Sequence, residues 1–374
     1  MEIEVIEVKS SKERNRFIRF PYNLYKSNIN YVGELNISIK NKITKKNPFL
    51  HHSEIALFIA VKGYQDVGRI AVIHNRTHLD VYNDSSGFFG YFDSFDDIEV
   101  AKALFNVASN WLSKKGIKSM IGPTNLTTND SCGILIKGFE YPNMISMPYN
   151  FEYYDQLMIH CGFKKEVDLY AYRIDGRLIK KKYSNILERS LQAMKNNGIV
   201  IRPISSKYFK HDLKRLNKVY NKCNINNWGF MPLNEKEFYE MAKELKMIAP
   251  LDLALILEKD EEIIGFVMAA PDINQAIKYV YKGKLTLVGI LKLLWYKRKI
   301  NKGRVMILGV LEAHKGRGLD LVLCHKITQA LYNLKIYEAD ASYVLENNDS
   351  MNSVLKKIGG ICIKEYRIYK KRIA

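Results

Sequence analysis

The sequence predicts a mixed α/β protein built from two copies of one unit. Three observations point there. At 374 residues the chain has room for two domains, which commonly hold roughly 100–200 residues each. Apolar residues make up 47% and charged residues 26%, a balance that excludes a disordered chain. Strand-like and helix-like segments also recur in the same order, with similar lengths and turn positions, in both halves. The first domain is placed at 1–178, a linker and helix at 179–198, and the second domain at 199–374 with an insertion over 271–302.

The first half opens with alternating apolar residues over 2–8, a strand pattern. A helix is expected from residue 11 to Phe20, with Pro21 interrupting or kinking it. Residues 54–62 and 66–74 are apolar and β-branched around a turn at Gly63, and read as a hairpin. Residues 86–92 give a third strand. Residues 97–115 have helical periodicity with an acidic start and a basic end, stopped by Gly116. Strand 117–122, helix 151–161 and strand 163–174 complete this half.

Residues 175–185 are polar and basic and read as a linker before a helix over 185–197. The second half then gives strand 199–204, helix 207–222, a loop holding Trp228, and helix 234–246. A second hairpin spans 252–259 and 263–270. Strand 304–310, helix 318–333, strand 336–344, helix 349–358 and strand 360–370 follow.

There are 58 Lys and Arg against 39 Asp and Glu, a formal charge of +19. That excess favours an anionic partner: nucleic acid, lipid headgroup or phosphorylated small molecule. Nucleic acid is the weakest of the three, because no zinc finger, recognition helix or basic–aromatic strand pattern is present. The five cysteines form no CxxC pair, so a reduced, cytoplasmic setting is expected. The start MEIEVIEVKS does not read as a secretory signal, and no apolar run is long enough to span a bilayer. No metal site is expected. His74 and His78 are four apart, but they follow a strand, where helical spacing has no meaning unless a helix starts there.

Residues 304–334 carry the chemistry. A buried strand runs out through Leu308, Gly309 and Val310 into the loop His314, Lys315, Gly316, Arg317, Gly318, and a helix starts at Leu319. Such a loop exposes consecutive backbone N–H groups at a helix start, which suits phosphate oxygens. Glycine admits close approach and left-handed angles. It is neither a GxGxxG nor a GxxxxGK[ST] motif, and an ordinary strand–turn–helix junction has the same local pattern.

The register His314-Lys315-Gly316-Arg317-Gly318-Leu319 resembles the R/Q-x-x-G-x-G/A loop of the GNAT acyltransferase superfamily. The resemblance continues through Asn348, Met351, Leu355, Gly359 and Gly360 to Tyr366 and Tyr369. The whole chain is similar to a family of two-domain GNAT-like proteins, some of them bacterial ceramide synthase-like. FIRFPYNLYK (17–26), GPTNLTTNDSCG (122–133), MPYNFEYY (147–154) and the C-terminal LENNDSMNSVLKKIGG carry that likeness. It implies tandem domains, each a twisted mixed sheet flanked by helices. It also implies acyl- or acetyl-coenzyme A as co-substrate, with residues 308–310 and 314–319 as its binding segment. The activity implied is acyl transfer to a primary amine, lipid or sphingoid-like. A non-catalytic binder of acyl-coenzyme A or lipid is the alternative. The first half lacks the anion loop: DSFDDIE stands at its corresponding junction, and its carboxylates would repel a pyrophosphate.

Acyl transfer to an amine needs a base, oxyanion donors and a proton for the leaving sulfur. Base candidates are Glu346, Asp272, Glu312 and His314, and the oxyanion donors are expected near Gly309 or Val310. Glu346 and Asn348 also fit as caps of the following helix. The superfamily's tyrosine, about seven residues after Asn348, is Leu355 here, which leaves Tyr366 or Tyr369 as substitutes. Cys324 is expected in the core. Acceptor binding is assigned to Asn125, Thr127, Asn129, Asp130, Tyr149, Asn150, Tyr153 and Trp228; the other reading of the first-half residues is a pair of turns that satisfy one another.

Residues 282–300, KGKLTLVGILKLLWYKRKI, are apolar between basic ends. They fit a helix buried at the domain junction, a lid over an acyl chain, or attachment to an anionic membrane at its inner face.

Overall fold

A computed structural model describes residues 2–373, and for 176–184 the backbone alone. In chain order the elements are β1 (Ile3–Glu7), α1 (Ser11–Leu24), α2 (Asn36–Lys42), β2 (Glu54–Lys62), β3 (Gln65–His74), α3 (Arg76–Tyr82) and β4 (Ser86–Ser94). Then come α4 (Ile98–Ser113), β5 (Ser119–Gly122), β6 (Ile134–Lys137), α5 (Tyr154–His160), β7 (Lys164–Asp175), α6 (Gly176–Asn196) and β8 (Val200–Pro203). The second half gives α7 (Phe209–Asn224), α8 (Glu235–Ile248), β9 (Ala254–Lys259), β10 (Glu262–Pro271), α9 (Asn274–Ile277), α10 (Leu287–Lys297) and β11 (Lys302–Val310). It closes with α11 (Leu319–Asn333), β12 (Glu338–Leu345), α12 (Asp349–Lys357) and β13 (Ile361–Arg372).

The chain forms two compact units, and neither is continuous in sequence. The first holds the residues up to Leu169, Asn274–Lys297, and those from Lys364 onward. The second holds Tyr170–Ile273 and Arg298–Ile363. The insertion therefore divides: its residues 274–297 belong to the first unit, although they interrupt the second in sequence. The stretch read as a linker is helical, because α6 begins at Gly176.

Within the first unit the strand order is β1-β2-β3-β4-β5-β13-β7, and β6 also pairs with β13. Within the second it is β7-β12-β11-β10-β9-β8. Each sheet is completed beside its fifth strand by a segment distant in sequence: the outer part of β13 lies next to β5, and Tyr170–Asp175 of β7 lies next to β12. The pairs β4–β5 and β11–β12 are parallel, and the hairpins β2–β3 and β9–β10 are antiparallel.

The helices form where the apolar period dictates. In α4, Val100, Ala101, Leu104, Phe105, Ala108 and Leu112 are buried along one face. Asp97 caps its start by accepting from the Glu99 amide at 3.0 Å. In α11, Leu319, Val322, Leu323, Ile327 and Leu331 are buried in the core of the second unit. Full burial of each such side chain contributes about 1.5–3 kcal/mol.

Helix α1 does not stop at Pro21 but runs on to Leu24. Proline has no N–H to offer the carbonyl four residues back, that of Phe17. Arg69 replaces that donor: its Nη1 bonds the Phe17 carbonyl oxygen at 2.7 Å. The same guanidinium is held by Asp93 through Nε at 2.8 Å. A tertiary contact from β3 thus removes the orphan that would have ended the helix.

Candidate functional site

In the second unit β11 and β12 pair only from Lys302↔Glu338 to Val305↔Ala341. On its other side β11 stays paired with β10 as far as Val310↔Gly265. That ladder slips at one point: Val305 faces Ala269 and Ile307 faces Met268, so Met306 is an extra residue. A bulge of this kind increases local twist. Twist and lost pairing coincide, so the edge of β11 from Met306 to Val310 has no strand beside it among the described residues.

Arg304 sits where the strands part and is buried. It donates to the Ser342 carbonyl oxygen from Nη2 at 2.9 Å and to the Ser342 hydroxyl from Nε at 3.0 Å. Its guanidinium also lies 5.2 Å from the centroid of the Tyr343 ring. This cluster is absent from the sequence reading. The available signal was a lone arginine inside an otherwise apolar strand.

Beyond Val310 the Leu311 amide returns to the Ile264 carbonyl at 2.9 Å, and a short turn holds Glu312 to His314. The Lys315 ammonium lies 2.6 Å from the exposed Glu312 carboxylate. Gly316 and Gly318 have φ of +74° and +71°, angles that strain any residue with a Cβ. A Cβ on Gly318 would also lie 2.2 Å from the Ser190 hydroxyl of α6. Gly318 accepts from Val322 at 3.1 Å, whereas the amides from Gly316 to Leu321 find no acceptor among the described residues. These amides lie at the positive end of α11, the arrangement that receives phosphate groups. The His314 Nδ1 is buried without a partner among the described residues.

The other sequence-predicted residues fall in several places. Leu308 is half-buried on the open edge of β11. Gly309 is needed for packing, since a Cβ there would come within 2.7 Å of the Phe266 ring. Glu346 is half-buried on the turn after β12. Asn348 caps α12, its Oδ1 accepting from the Met351 amide at 3.1 Å. Leu355 is buried, and near it the Tyr172 hydroxyl donates to Asn352 Oδ1 at 2.9 Å. Asp272 is buried at the end of β10, where its amide bonds the Lys302 carbonyl at 2.8 Å. Trp228 is half-buried in the turn after α7. Cys324 is packed against the core of the second unit, and burial pushes its thiol up to about 12.

Tyr366 and Tyr369 lie in the first unit, buried on β13 opposite Leu135 and Gly122. The Tyr369 hydroxyl donates to Asp155, and burial followed by that carboxylate raises its pKa far above the usual phenol value. Both rings are core residues there.

The first unit repeats the parting of strands and fills it from its own chain. Here β4 and β5 pair from Ser86↔Ser119 to Phe88↔Ile121 only. The ladder between β3 and β4 shifts just beyond, between Arg69 and Ala71. The Tyr91 amide, at the corresponding place, donates to Asn125 Oδ1 at 2.8 Å. Asn125 Nδ2 in turn donates to the Ser131 hydroxyl at 2.8 Å. Thr127 donates to Asp130 at 3.3 Å and accepts from the Asn129 amide at 3.2 Å. Asn150 bonds both the N–H and C=O of Leu135, at 2.7 and 3.0 Å, as a strand partner would. The Tyr149 and Tyr153 hydroxyls donate to the carbonyls of Phe139 and Ser94, both at 2.7 Å. The polar groups expected to read an acceptor thus bond to one another and to backbone, because a non-periodic loop must satisfy its own buried donors and acceptors.

Among the described residues no group of three or more His, Cys, Asp or Glu could hold a metal ion. His74 approaches Glu54 at 3.7 Å, while His78 bonds Asp84 at 3.1 Å. An open cleft of about 570 Å³ on the first unit is lined by Lys118, Lys164, Lys370 and Arg372 with Asp84 and Glu166, but by none of the predicted site residues.

No family model matches the chain. The bacterial ceramide synthase of Caulobacter vibrioides is 32% identical over 380 residues, covering 100% of this chain and 98% of that protein. Protein YghO of Escherichia coli is 32% identical over 363 residues, covering 96% of this chain and 92% of that one. This chain belongs to their family. Its fold is that of tandem GNAT proteins. A tandem GNAT protein from the clavulanic acid biosynthesis pathway superposes with a TM-score of 0.58 at 8% identity, covering 100% of this chain and 99% of its own. A GCN5-related N-acetyltransferase from Anabaena variabilis gives 0.53 at 9% identity, covering 100% and 73%. Among the described residues no helix is long and apolar enough to cross a membrane.

Proposed function

We propose that this family member is an acyl-coenzyme A-dependent N-acyltransferase whose donor binds the second unit. The observation that carries the reading is the run of amides from Gly316 to Leu321 that find no acceptor among the described residues, one short turn after a strand edge that no described neighbour pairs. In this reading the amides receive the pyrophosphate of coenzyme A. His314, Lys315 and Arg317 stand at the loop. The open edge of β11 at Leu308, Gly309 and Val310 takes the amide-bearing arm of the cofactor as an added strand would.

The reaction then needs little covalent chemistry. The acceptor nitrogen attacks the thioester carbonyl, the oxygen gains charge beside β11 amides, and the carbon–sulfur bond breaks. Glu346 is the proposed base for the amine proton, and Asn348 fixes the turn that presents it. The departing thiolate is protonated from water in this scheme, since Leu355 occupies the place of the superfamily's tyrosine and both Tyr366 and Tyr369 are buried core residues of β13. The acceptor proposed is a long-chain lipid amine of sphingoid type, supported by the name of the Caulobacter relative.

Titration with acetyl-, octanoyl- and palmitoyl-coenzyme A, followed by thiol release on adding long-chain amino alcohols, tests the proposal. Binding with release supports it. Absence of coenzyme A binding overturns it. Glu346→Gln should lower turnover while leaving donor affinity within about twofold, as expected for a group acting on the transition state alone. Binding without release for any amine favours the second reading, a non-catalytic acyl-coenzyme A binder, to which the missing tyrosine gives weight.

A further inference from the structure

Helix α10 is inverted relative to a helix of a soluble surface. Its one buried residue is Gly289, where a Cβ would meet the Lys284 carbonyl oxygen at 2.8 Å. The same inner face carries Leu293 and Tyr296, which are half-buried, and the Tyr296 ring stacks on Tyr279 with centroids 3.6 Å apart. The outer face carries the large apolar groups: Leu287, Leu291, Leu294 and Trp295 are 75%, 60%, 57% and 60% exposed, and Val288 lies beside them. Residues 287, 291, 294 and 295 share one stripe at helical spacing. A solvent-facing helix ordinarily presents polar side chains there, and a contiguous apolar patch marks a surface with a partner.

The helix is firmly mounted. The turn before it is left-handed at Lys282 and Gly283, and a Cβ on Gly283 would overlap the Tyr22 hydroxyl at 2.1 Å. Asn36 Nδ2 donates to the Lys282 carbonyl at 3.1 Å, and Lys282 Nζ donates to Asn23 at 3.2 Å. The apolar stripe is therefore held outward by packing of its base against α1 and α2.

Charge decides what covers it. No acidic residue stands between Asp272 and Glu312. Lys282 and Lys284 precede the helix, Lys292 flanks the stripe, and Lys297, Arg298 and Lys299 follow it. At 11 residues α10 is too short to span a bilayer. We propose that α10 is an interfacial anchor that inserts Leu287, Leu291, Leu294 and Trp295 into an anionic lipid bilayer while its basic flanks meet the headgroups. Tyr281, before the helix, and Trp295, near its end, are exposed rings of the amphipathic kind that favours the membrane–water boundary. The residues of this anchor, 282–299, are distinct from those of the anion loop, 314–319.

The test is flotation of the full chain with vesicles of phosphatidylcholine alone and of phosphatidylcholine with phosphatidylglycerol. The protein should float with the anionic vesicles, less so at high salt, and its tryptophan emission should shift to the blue. Leu291→Glu with Leu294→Glu should weaken binding by at least about tenfold, the order expected from losing even one buried leucine. The melting temperature should stay unchanged, since both side chains are exposed. Ile29→Glu, also on an exposed residue, should change nothing. Gly316→Ala with Gly318→Ala should still float, so loss of coenzyme A binding and loss of membrane binding are read separately. Failure to float with anionic vesicles overturns the anchor, as does equal flotation of the Leu291/Leu294 variant. Self-association that this variant abolishes, without flotation of the parent, assigns the face to a second copy of the chain and also overturns it.

Discussion

The Arg304 guanidinium bonds the Ser342 carbonyl at the point where the parallel ladder of β11 and β12 stops. One residue earlier the two backbones still pair, Val305 with Ala341. A side chain thus supplies the donor that the departing strand no longer provides, and the gap is stabilised without orphaning a buried carbonyl. In the first unit Asn125 bonds the Tyr91 amide at the matching place, and the gap is closed by the chain's own loop. The same parting of strands is open in one unit and plugged in the other.

Arg304→Lys keeps the charge and loses the fork. A hydrogen bond to a charged group contributes about 1.5–3 kcal/mol, so a stability loss of that order is expected in urea unfolding. Coenzyme A affinity should fall about tenfold as β12 relaxes against β11, an amount equivalent to roughly 1.4 kcal/mol. Calorimetric titration checks the second number. Unchanged affinity would mean the guanidinium only fills space.

The two loop glycines should respond differently. Gly316 has a left-handed φ with open space around it, so Gly316→Ala carries backbone strain alone, on the order of 1 kcal/mol. Gly318→Ala must also displace Ser190, and its melting temperature should fall further. Ser190→Ala should recover part of that loss but not coenzyme A binding, which depends on the amides. Lack of any recovery removes the α6 contact as the cause.

Asn125→Ala should leave the Tyr91 amide and the Ser131 hydroxyl short of a partner. A cost of about 1–3 kcal/mol is expected for each buried group left unsatisfied. Coenzyme A affinity should not change, because this loop belongs to the first unit and the donor is proposed to bind the second. A clear loss of affinity in the folded variant would return the loop to the functional site.

His78 predicts a pH dependence. Burial lowers its pKa, the Lys370 charge acts in the same direction, and Asp84 opposes both. A base with a lowered pKa binds fewer protons when folded than when unfolded. Stability is then complete above the free imidazole value of about 6.5 and declines as pH falls through it. His74 is lowered as well, with burial first and Lys115 second, so the two act together. His78→Gln should flatten the profile of melting temperature between about pH 7 and 5 relative to the parent. A profile as steep as the parent's would assign the effect to His74.

Thiol chemistry should be irrelevant to turnover. Burial pushes Cys324 up to about 12 and Cys223 up to about 11, so neither is a thiolate at neutral pH. Cys324→Ala should keep full thiol-release activity, and no acyl-enzyme should appear by mass spectrometry. Trapping of an acylated cysteine would demand a different mechanism.

Much of the fold was legible because period reports burial. The residues of α4 and α11 announce their inner faces, and both hairpins appear as paired apolar runs around tight turns. Gly316 and Gly318 were legible as residues needing left-handed angles. The turn at Asn348 was visible as either cap or site, and its cap is seen. Pro21 misled because the donor that compensates at the Phe17 carbonyl, Arg69, lies 52 residues beyond Phe17 in the chain.

What the sequence determined by itself is local: which segments form strands and helices, which loop exposes its amides, and that the chain repeats one unit. Tertiary structure decided where distant segments lodge. It set Lys364–Arg372 beside β5, placed residues 274–297 with the first unit, turned the apolar stripe of α10 outward, and left one parting of strands open while filling the other. The physical reason is that hydrophobic period fixes which face of a segment is apolar but not what meets that face. The partner is chosen by steric fit, as at Gly283 against Tyr22, and by the need to satisfy each buried polar group, as Arg304 does for Ser342.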